Sequence, residues 1–246
     1  METSFRPHLF GVVAGLFLAL ALVLASIIFA HAWLKISEAQ TISVTGSARK
    51  TVRSDLVVWR GSVLTEAATL LAAQQALKAD VLKAEGFLRA NAVTNYLISP
   101  ISIEEVRARG KSDREDTPLK TVRFRLSQTL EVQSPEIEQV KQLDRECVAL
   151  VEQGVLFTTG QIKYLYTKAG EAKVEMLAEA TKDARARADQ IAMQGGRRIE
   201  QLKSARMGVF QITPLYSVET SWDGKNDTTS LEKTVTAVVS ACFSMK

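Results

Sequence analysis

The sequence predicts an α+β fold in which helices pack on one face of an antiparallel sheet, preceded by one transmembrane helix. Three patterns carry this prediction. Residues 9–34 form a long apolar run, Thr121–Val132 alternates between apolar and polar residues, and Ala169–Gln194 repeats apolar residues at helical spacing. Period-two alternation is typical of a half-buried strand, and recurrence every three to four residues is typical of a helix. Strands and helices in this mixed order favour an α+β domain.

The apolar run is long enough to span a bilayer. Between Leu9 and Leu34 no residue is charged, and the only polar side chains are Ser26 and His31. A spanning helix needs about 20 apolar residues, whereas the apolar part of a signal peptide has roughly 7–15. We therefore expect a short tail at residues 1–8, a membrane anchor at 9–34 and a folded domain at 40–246.

A competing prediction is that the run is a cleaved signal segment. Ala30-His31-Ala32 has the small-x-small form of a signal-peptidase site. Basic residues are more frequent after the run than before it, which does not favour export, but long domains translocate largely regardless of charge. We expect a single-pass inner-membrane protein with its C-terminal domain in the periplasm. The alternative is a soluble periplasmic protein released by cleavage after Ala32.

Small residues recur at every fourth position within the run, at Gly11, Gly15 and Ala19. This spacing lets two membrane helices approach closely, so these residues are a candidate helix-association face. Gly and Ala are also common in membrane helices that have no partner.

Seven strands are expected in the domain. In the clearest, Thr121–Val132, one face carries Val122, Phe124, Leu126, Leu130 and Val132. The others are Thr41–Val52, Ser54–Leu64, Asn95–Ile103, Gln161–Thr167, Ala205–Thr213 and Glu232–Met245. Val57, Trp59 and Val63 share one face of the second strand along the chain.

Three helices are expected between the strands. Thr65 can cap the first, Ser134-Pro135 begins the second, and Gly195-Gly196 ends the third. The apolar stripe of the first helix holds Leu70, Leu77, Val81, Ala84 and Leu88, and that of the third holds Val174, Leu177, Ala184, Ala188 and Ile191. The charged residues 107–117 and the polar residues 217–230 are expected to form loops. A helix followed by paired strands recurs along the chain, so two related halves are a further expectation.

Composition excludes several function classes. The chain has 31 basic and 27 acidic residues, and its only histidines, His8 and His31, precede the domain. A domain without histidine cannot use Ser-His-Asp or Cys-His catalysis or the common His-containing zinc sites. No phosphate-binding glycine motif occurs. We expect no cofactor and no metal, and we expect Cys147 and Cys242 to be buried free thiols.

Three other sets of residues are candidates for a functional role. Glu104 and Glu105, or Asp113, Glu115 and Asp116, could supply paired carboxylates to an enzyme, but such charged stretches are usually solvated. The arginines at 185, 187, 197 and 198 alternate with Asp183 and Asp189 and lack aromatic neighbours, so no nucleic-acid partner is expected. Trp59, Tyr164 and Tyr166 are candidate ligand or interface aromatics, although aromatic residues on strands are usually core.

Three blocks of sequence resemble the SIMPL-domain family of bacterial envelope proteins (YggE-like and periplasmic-immunogenic-protein-like). They are ISVTGSARKTVRSDLVVWRGSV (42–63), SPEIEQVKQLDRECVALVEQGV (134–155) and AEATKDARARADQIAMQGGRRIEQLKSARMG (178–208), followed by a fitting last strand VTAVVSACFSM (235–245). One departure is Ser54, where many relatives have Pro before the aspartate.

The resemblance implies an exported or anchored α+β domain that forms homo-oligomers, some of them ring- or channel-like. It also implies that some members contribute to oxidative-stress tolerance. It supplies no catalytic residues. We therefore expect a non-enzymatic, membrane-anchored protein whose partners are itself and, through residues 9–34, the membrane. A small-molecule ligand is left undetermined, and the soluble alternative would act as a ligand- or partner-binding module.

Overall fold

The computed structural model of the protein describes residues 7–37, 41–108, 120–217 and 221–246. The helices are Pro7–Ser37 (α1), Leu70–Ala90 (α2), Ile137–Glu146 (α3), Val148–Glu152 (α4) and Ala169–Gln194 (α5). The strands are Thr41–Arg53 (β1), Leu56–Ala67 (β2), Tyr96–Ile98 (β3), Ser102–Ala108 (β4), Lys120–Ser134 (β5), Leu156–Thr159 (β6), Lys163–Leu165 (β7), Ile199–Met207 (β8), Gln211–Pro214 (β9) and Glu232–Met245 (β10). This mixture of helices and antiparallel strands confirms the predicted α+β class.

The strands form two sheets. A six-stranded sheet has the order β3-β5-β2-β6, with β4 also pairing with β5 and β7 with β2. A four-stranded sheet has the order β1-β10-β8, with β9 also pairing with β10. The chain divides into two compact units that are not consecutive halves of the sequence. Unit 1 is Met1–Ala48, Leu177–Gly208 and Val238–Lys246, and unit 2 is Arg49–Met176 and Val209–Ala237.

The core of unit 2 lies between the six-stranded sheet and the helices α2, α3 and α4. The predicted face of β2 is confirmed, since Val57, Trp59 and Val63 are all fully buried. The β5 residues Leu126, Leu130 and Val132 join the same cluster, as predicted from their alternation. From α2 it receives Ala73, Leu77, Val81, Ala84 and Leu88. Leu70, which was expected in this stripe, is 42% exposed instead.

The core of unit 1 is built from small side chains on α5 and from the strands β1 and β10. Ala180, Ala184 and Ala188 are completely buried against Val44, Val239, Ala241 and Phe243. At Gly46 the strand runs so close to α5 that an added Cβ would overlap Ala180 O and Ala184 N. Alanine on the helix and glycine on the strand are therefore both required for this close approach.

The predicted anchor, residues 9–34, lies within α1. The 23 residues Gly11–Trp33 are apolar enough to cross a membrane by length and composition, and none of this span is buried within the chain. A signal sequence near the N-terminus would meet the same criteria. Gly11 and Gly15 have no other atom within 4 Å of the position where a Cβ would stand.

Several predicted elements were wrong at their boundaries. Thr69, not Thr65, caps α2 by accepting a hydrogen bond from Ala72 N. The single strand expected at Asn95–Ile103 is divided into β3 and β4, because Ser99-Pro100 interrupts it and proline donates no ladder bond.

The region around β8 was also predicted wrongly. The strand expected at Ala205–Thr213 is two strands, β8 and β9, and most of β8 lies earlier in the sequence. The side chains of β8 are exposed on both faces except for Ile199, so the strand lacks the alternation on which the prediction depends. The short strand β6 was not predicted as a separate element.

The apolar stripe of α5 was partly wrong. Val174 is 73% exposed and Ile191 is 56% exposed. The buried side of the helix instead carries a residue at every fourth position: Ala172, Met176, Ala180, Ala184, Ala188 and Ala192. Helix packing against a close strand favours small residues over the larger apolar ones that the periodicity singled out. On the outer face of α5, Asp183 and Arg187 form an ion pair at 2.9 Å.

Candidate functional site

The most elaborate polar arrangement in unit 2 is a buried ion pair between Lys233 and Asp227. Lys233 Nζ donates to Asp227 Oδ2 over 3.1 Å and to the main-chain oxygen of Asp227 over 2.5 Å. The two side chains are 0% and 5% exposed. Lys233 lies on β10 on the same side as the buried residues Val235 and Ala237.

Asp227 organises the turn that precedes β10. Its Oδ1 accepts hydrogen bonds from Thr229 N and Thr229 Oγ1, and its Oδ2 accepts one from Ser230 N. Burial acts to raise the pKa of this carboxyl, but the hydrogen bonds from Thr229, Lys233 and Ser230 outweigh it and hold the pKa well below its usual range. Asp227 therefore stays ionised as the partner of the buried ammonium.

The turn held by Asp227 is joined to the connection between β1 and β2 and to the strand β7. Ser54 N donates to Leu231 O over 2.9 Å, and Tyr164 N donates to Thr228 O over 2.7 Å. Ser54 Oγ also lies 3.3 Å from Ser230 O. Ser54 is the departure noted in the sequence, and the structure shows that this chain uses the backbone N–H that proline lacks.

Asp55, the aspartate of the first sequence block, holds the backbone at Thr167 in place. Its two carboxylate oxygens accept hydrogen bonds from Thr167 N and Thr167 Oγ1, each over 2.8 Å. Partial burial opposes ionisation, but these bonds lower the pKa of Asp55 below its ordinary value. Asp55 thus fixes the segment between β7 and α5.

These groups hold the fold together and leave little for chemistry. Lys233 is enclosed and already has two acceptors, and Asp227 has its oxygens occupied, so neither is available to a substrate. Among the residues that the structure describes, no three His, Cys, Asp or Glu side chains are grouped so that they could hold a metal ion.

Two of the three candidate aromatic residues, Trp59 and Tyr164, belong to the core of unit 2 or pack against it. Trp59 is fully buried, stacks on Phe157 with ring centroids 6.0 Å apart, and donates its indole N–H to Asp144 Oδ1 over 2.7 Å. Tyr164 is half-buried and packs against the same cluster, and Tyr166 is half-buried after β7. Trp59 has no exposed surface to offer a ligand.

The candidate carboxylates are occupied by arginines or lie outside the described residues. Glu104 and Glu105 are on β4, where they form ion pairs with Arg125 and Arg107 at 3.2 and 2.9 Å. Asp113, Glu115 and Asp116 lie outside the residues that the structure describes. Cys147 is buried, Cys242 is half-buried, and both are free.

An open groove of about 540 Å³ lies in unit 1 at the end of α5 and the start of β8. It is lined by Asp189, Met193, Gly196, Arg197, Arg198 and Ile199. Two of the arginines that the sequence analysis singled out, Arg197 and Arg198, are thus brought together with exposed apolar surface, while Arg187 is paired with Asp183.

Sequence reasoning missed the Lys233–Asp227 pair, although a signal for it exists. Lys233 occupies an otherwise apolar face in the alternating strand Glu232–Met245. A lysine at such a position predicts either an edge or a buried partner. Its partner Asp227 could not be predicted, because it lies in the polar residues 217–230, whose composition is typical of an ordinary connecting loop.

The apolar helix and the domain behind it define an α+β protein that carries an N-terminal membrane-anchor or signal segment. A family model described as "SIMPL: Protein of unknown function (DUF541)" matches residues 42–243. The chain therefore belongs to the SIMPL family, as the three sequence blocks indicated. A search of curated proteins found no match.

Proposed function

We propose that the protein is a non-enzymatic envelope protein, held in the membrane by α1, that self-associates into a homo-oligomer. The single observation that carries this proposal is the helix itself. Its span Gly11–Trp33 has 23 residues, none of them formally charged and all of them exposed in the isolated chain, ahead of a SIMPL domain. A helix that is apolar on every side needs a lipid or protein surrounding along its whole length.

A non-enzymatic role is supported by the chemistry of the domain. It contains no histidine, and its most buried ionisable pair, Lys233 and Asp227, is fully engaged in structure. The candidate carboxylates Glu104 and Glu105 take part in ion pairs on an exposed strand. These groups support a binding or structural protein better than a catalyst.

Self-association is supported by the small-residue face of α1 and by the family resemblance. Gly11, Gly15 and Ala19 lie on one side of the helix at four-residue spacing, and the two glycines leave open space where side chains would stand. We place the helix contacts of the oligomer there. A ring- or channel-like assembly and a role in oxidative-stress tolerance stay expectations drawn from the resemblance.

The test is the intact mass of the protein purified from membranes, followed by light scattering in mild detergent. The proposal requires a chain that keeps residues 1–32, resists carbonate extraction, and has a mass several times that of one chain. A chain beginning at Trp33 would establish the soluble periplasmic alternative, because Ala30-His31-Ala32 would then have been cut. An uncleaved monomer would remove self-association while leaving the anchor.

A further inference from the structure

The groove at the end of α5 carries positive charge beside exposed apolar surface. Arg197 and Arg198 are exposed, and Asp189 is the one acidic side chain in its lining. Two exposed apolar side chains accompany them on the last turns of α5, Ile191 at 56% and Met193 at 62%. An arrangement of guanidinium groups next to apolar side chains suits a ligand with an anionic head and an apolar body.

The contacts of β1 with α5 show that the groove lies at the end of unit 1 where β1 begins. Ser47 N donates to Asp183 Oδ2, and further along β1 Lys50 pairs with Glu175, so the strand and α5 run in opposite directions. A strand rises about 3.3 Å per residue and a helix about 1.5 Å. The six residues from Ser47 back to Thr41 therefore span about 20 Å, which equals the rise of roughly a dozen helical residues of α5 beyond Asp183. The start of β1 is level with the last turn of α5 and hence with the groove.

The start of β8 and the end of β10 lie at the same level. Met245 pairs with Ile199, and Arg198 and Lys246 exchange backbone hydrogen bonds of 3.0 and 2.8 Å. Lys246 is exposed and adds a third basic side chain beside Arg198.

The start of β1 is also tied covalently to the end of the anchor. Four Cα–Cα steps separate Ser37, the last residue of α1, from Thr41, the first of β1. At 3.8 Å a step, these two residues are no more than about 15 Å apart. Trp33 and Lys35, residue types that favour the membrane–water interface, stand at that end of α1. If α1 spans a bilayer, the groove end of unit 1 faces the lipid headgroups.

We propose that this groove binds the anionic headgroups of phospholipids in the bilayer that holds α1. The inference rests on the proposed anchor. Arg197 and Arg198 contact headgroup phosphates through their planar guanidinium groups, Lys246 adds long-range attraction, and Ile191 and Met193 contact the apolar side of the interface. The domain is thereby held against the membrane surface by a second set of contacts besides the anchor.

The experiment uses the full chain reconstituted in nanodiscs containing equal amounts of phosphatidylglycerol and phosphatidylcholine. Native mass spectrometry of the released protein then gives the relative amounts of the two lipids that stay bound to it. The same spectrum gives the intact mass of the chain. The variant is Arg197→Ala/Arg198→Ala. The matched control is Lys203→Ala/Arg206→Ala, which removes the same charge from exposed positions of β8 outside the lining of the groove.

We expect the wild type and the control to retain more phosphatidylglycerol than phosphatidylcholine. The groove variant should lose that preference by roughly tenfold or more, because each basic residue near an anionic surface is worth a factor of about five. Equal preference in all three proteins would overturn the inference, and so would equal loss in the control, which would indicate a general charge effect. An arginine that merely stabilised the C-terminus of α5 would not change which lipid is retained.

Failure of the anchor would be visible separately. A chain of the mass expected from cleavage after Ala32 would refute the proposed anchoring, and with it the lipid contact, whatever lipid is retained. An uncleaved chain without a phosphatidylglycerol preference would leave the anchor in place and refute the headgroup site alone.

Discussion

Lys233 and Asp227 form an ion pair that is closed to solvent, with Nζ and Oδ2 3.1 Å apart and side chains 0% and 5% exposed. Such a pair is weak evidence for stability compared with an apolar core, because both ions lose their hydration. Removing only one partner strongly destabilises the fold, because the other charge is then left buried without compensation. The pair also anchors the turn that receives hydrogen bonds from Ser54 N and Tyr164 N.

Lys233→Met should therefore destabilise unit 2 strongly. Methionine fills a similar volume but leaves the Asp227 carboxylate without its cationic partner, so we expect a loss of about 3 kcal/mol in the free energy of unfolding. Urea unfolding followed by circular dichroism measures it. Lys203→Met is the matched control, since Lys203 is exposed on β8, and it should change stability by less than about 0.5 kcal/mol. Equal stability of the two variants would show that the buried charge is not a structural requirement.

The same pair predicts a defined acid sensitivity. The carboxyl of Asp227 has a pKa held below its value in the unfolded chain, which is about 3.9. A group with a lowered pKa in the folded state contributes stability that is fully present above the unfolded pKa and is lost as pH falls below it. We expect unfolding free energy to decline below about pH 4. Asp227→Asn should be less stable at pH 7, and its further decline between pH 4 and pH 2.5 should be shallower than that of the wild type. Parallel curves would show that other carboxylates cause the acid sensitivity.

How much of this could be read from the sequence depends on whether burial follows a regular period. The strand at Glu232–Met245 and the helix at Ala169–Gln194 were predicted with the bounds that the structure has, because alternation covers most of the strand and Gly195-Gly196 ends the helix. The strand β8 does not alternate, since both of its faces are exposed.

Long-range contacts were less accessible to prediction than the elements themselves. That Val174 and Ile191 face solvent while alanines face the core depends on how closely β1 approaches α5 at Gly46. Likewise, the meeting of Lys233 with Asp227, and of Asp55 with Thr167, depends on turns whose conformation no periodicity encodes. The groove at Arg197 and Arg198 joins a helix end to a strand that the sequence did not indicate.

Ser54→Pro tests whether the turn depends on the backbone N–H of Ser54. Proline would remove the hydrogen bond from Ser54 N to Leu231 O and leave that oxygen without its partner beside the buried Ser54. We expect a loss of roughly 1–3 kcal/mol. Ser54→Ala keeps the N–H and removes only the longer side-chain contact with Ser230 O, so it should cost less. Hydrogen exchange of the residues around Leu231 should rise in the proline variant alone. If proline is tolerated as well as alanine, the backbone bond does not fix the turn.

Gly46→Ala should damage the contact between β1 and α5. Its methyl group would overlap backbone atoms of Ala180 and Ala184, which cannot rotate away as a side-chain end could. We expect unfolding free energy to fall by about 2 kcal/mol or more. Gly86→Ala is an informative control because Gly86 lies within α2 with nothing near its Cβ position, so alanine there should stabilise the protein by up to about 1 kcal/mol. In thermal unfolding, the melting temperature should fall for Gly46→Ala and rise for Gly86→Ala. An unchanged melting temperature for Gly46→Ala would contradict the close approach of β1 to α5.

The association face of α1 can be tested without altering the folded domain. Gly11→Leu/Gly15→Leu places two bulky side chains where the helix is now open, which should keep neighbouring helices apart and shift the oligomer toward monomer. Ala14→Leu/Ala21→Leu is matched in size and lies about 110° around the helix from the Gly11, Gly15 and Ala19 side, since each residue turns the helix by about 100°. Light scattering in mild detergent should show a smaller assembly for the glycine variant and an unchanged one for the alanine variant. If neither variant changes the mass of the assembly, self-association depends on the SIMPL domain; if both reduce it equally, leucine perturbs the helix without identifying a face.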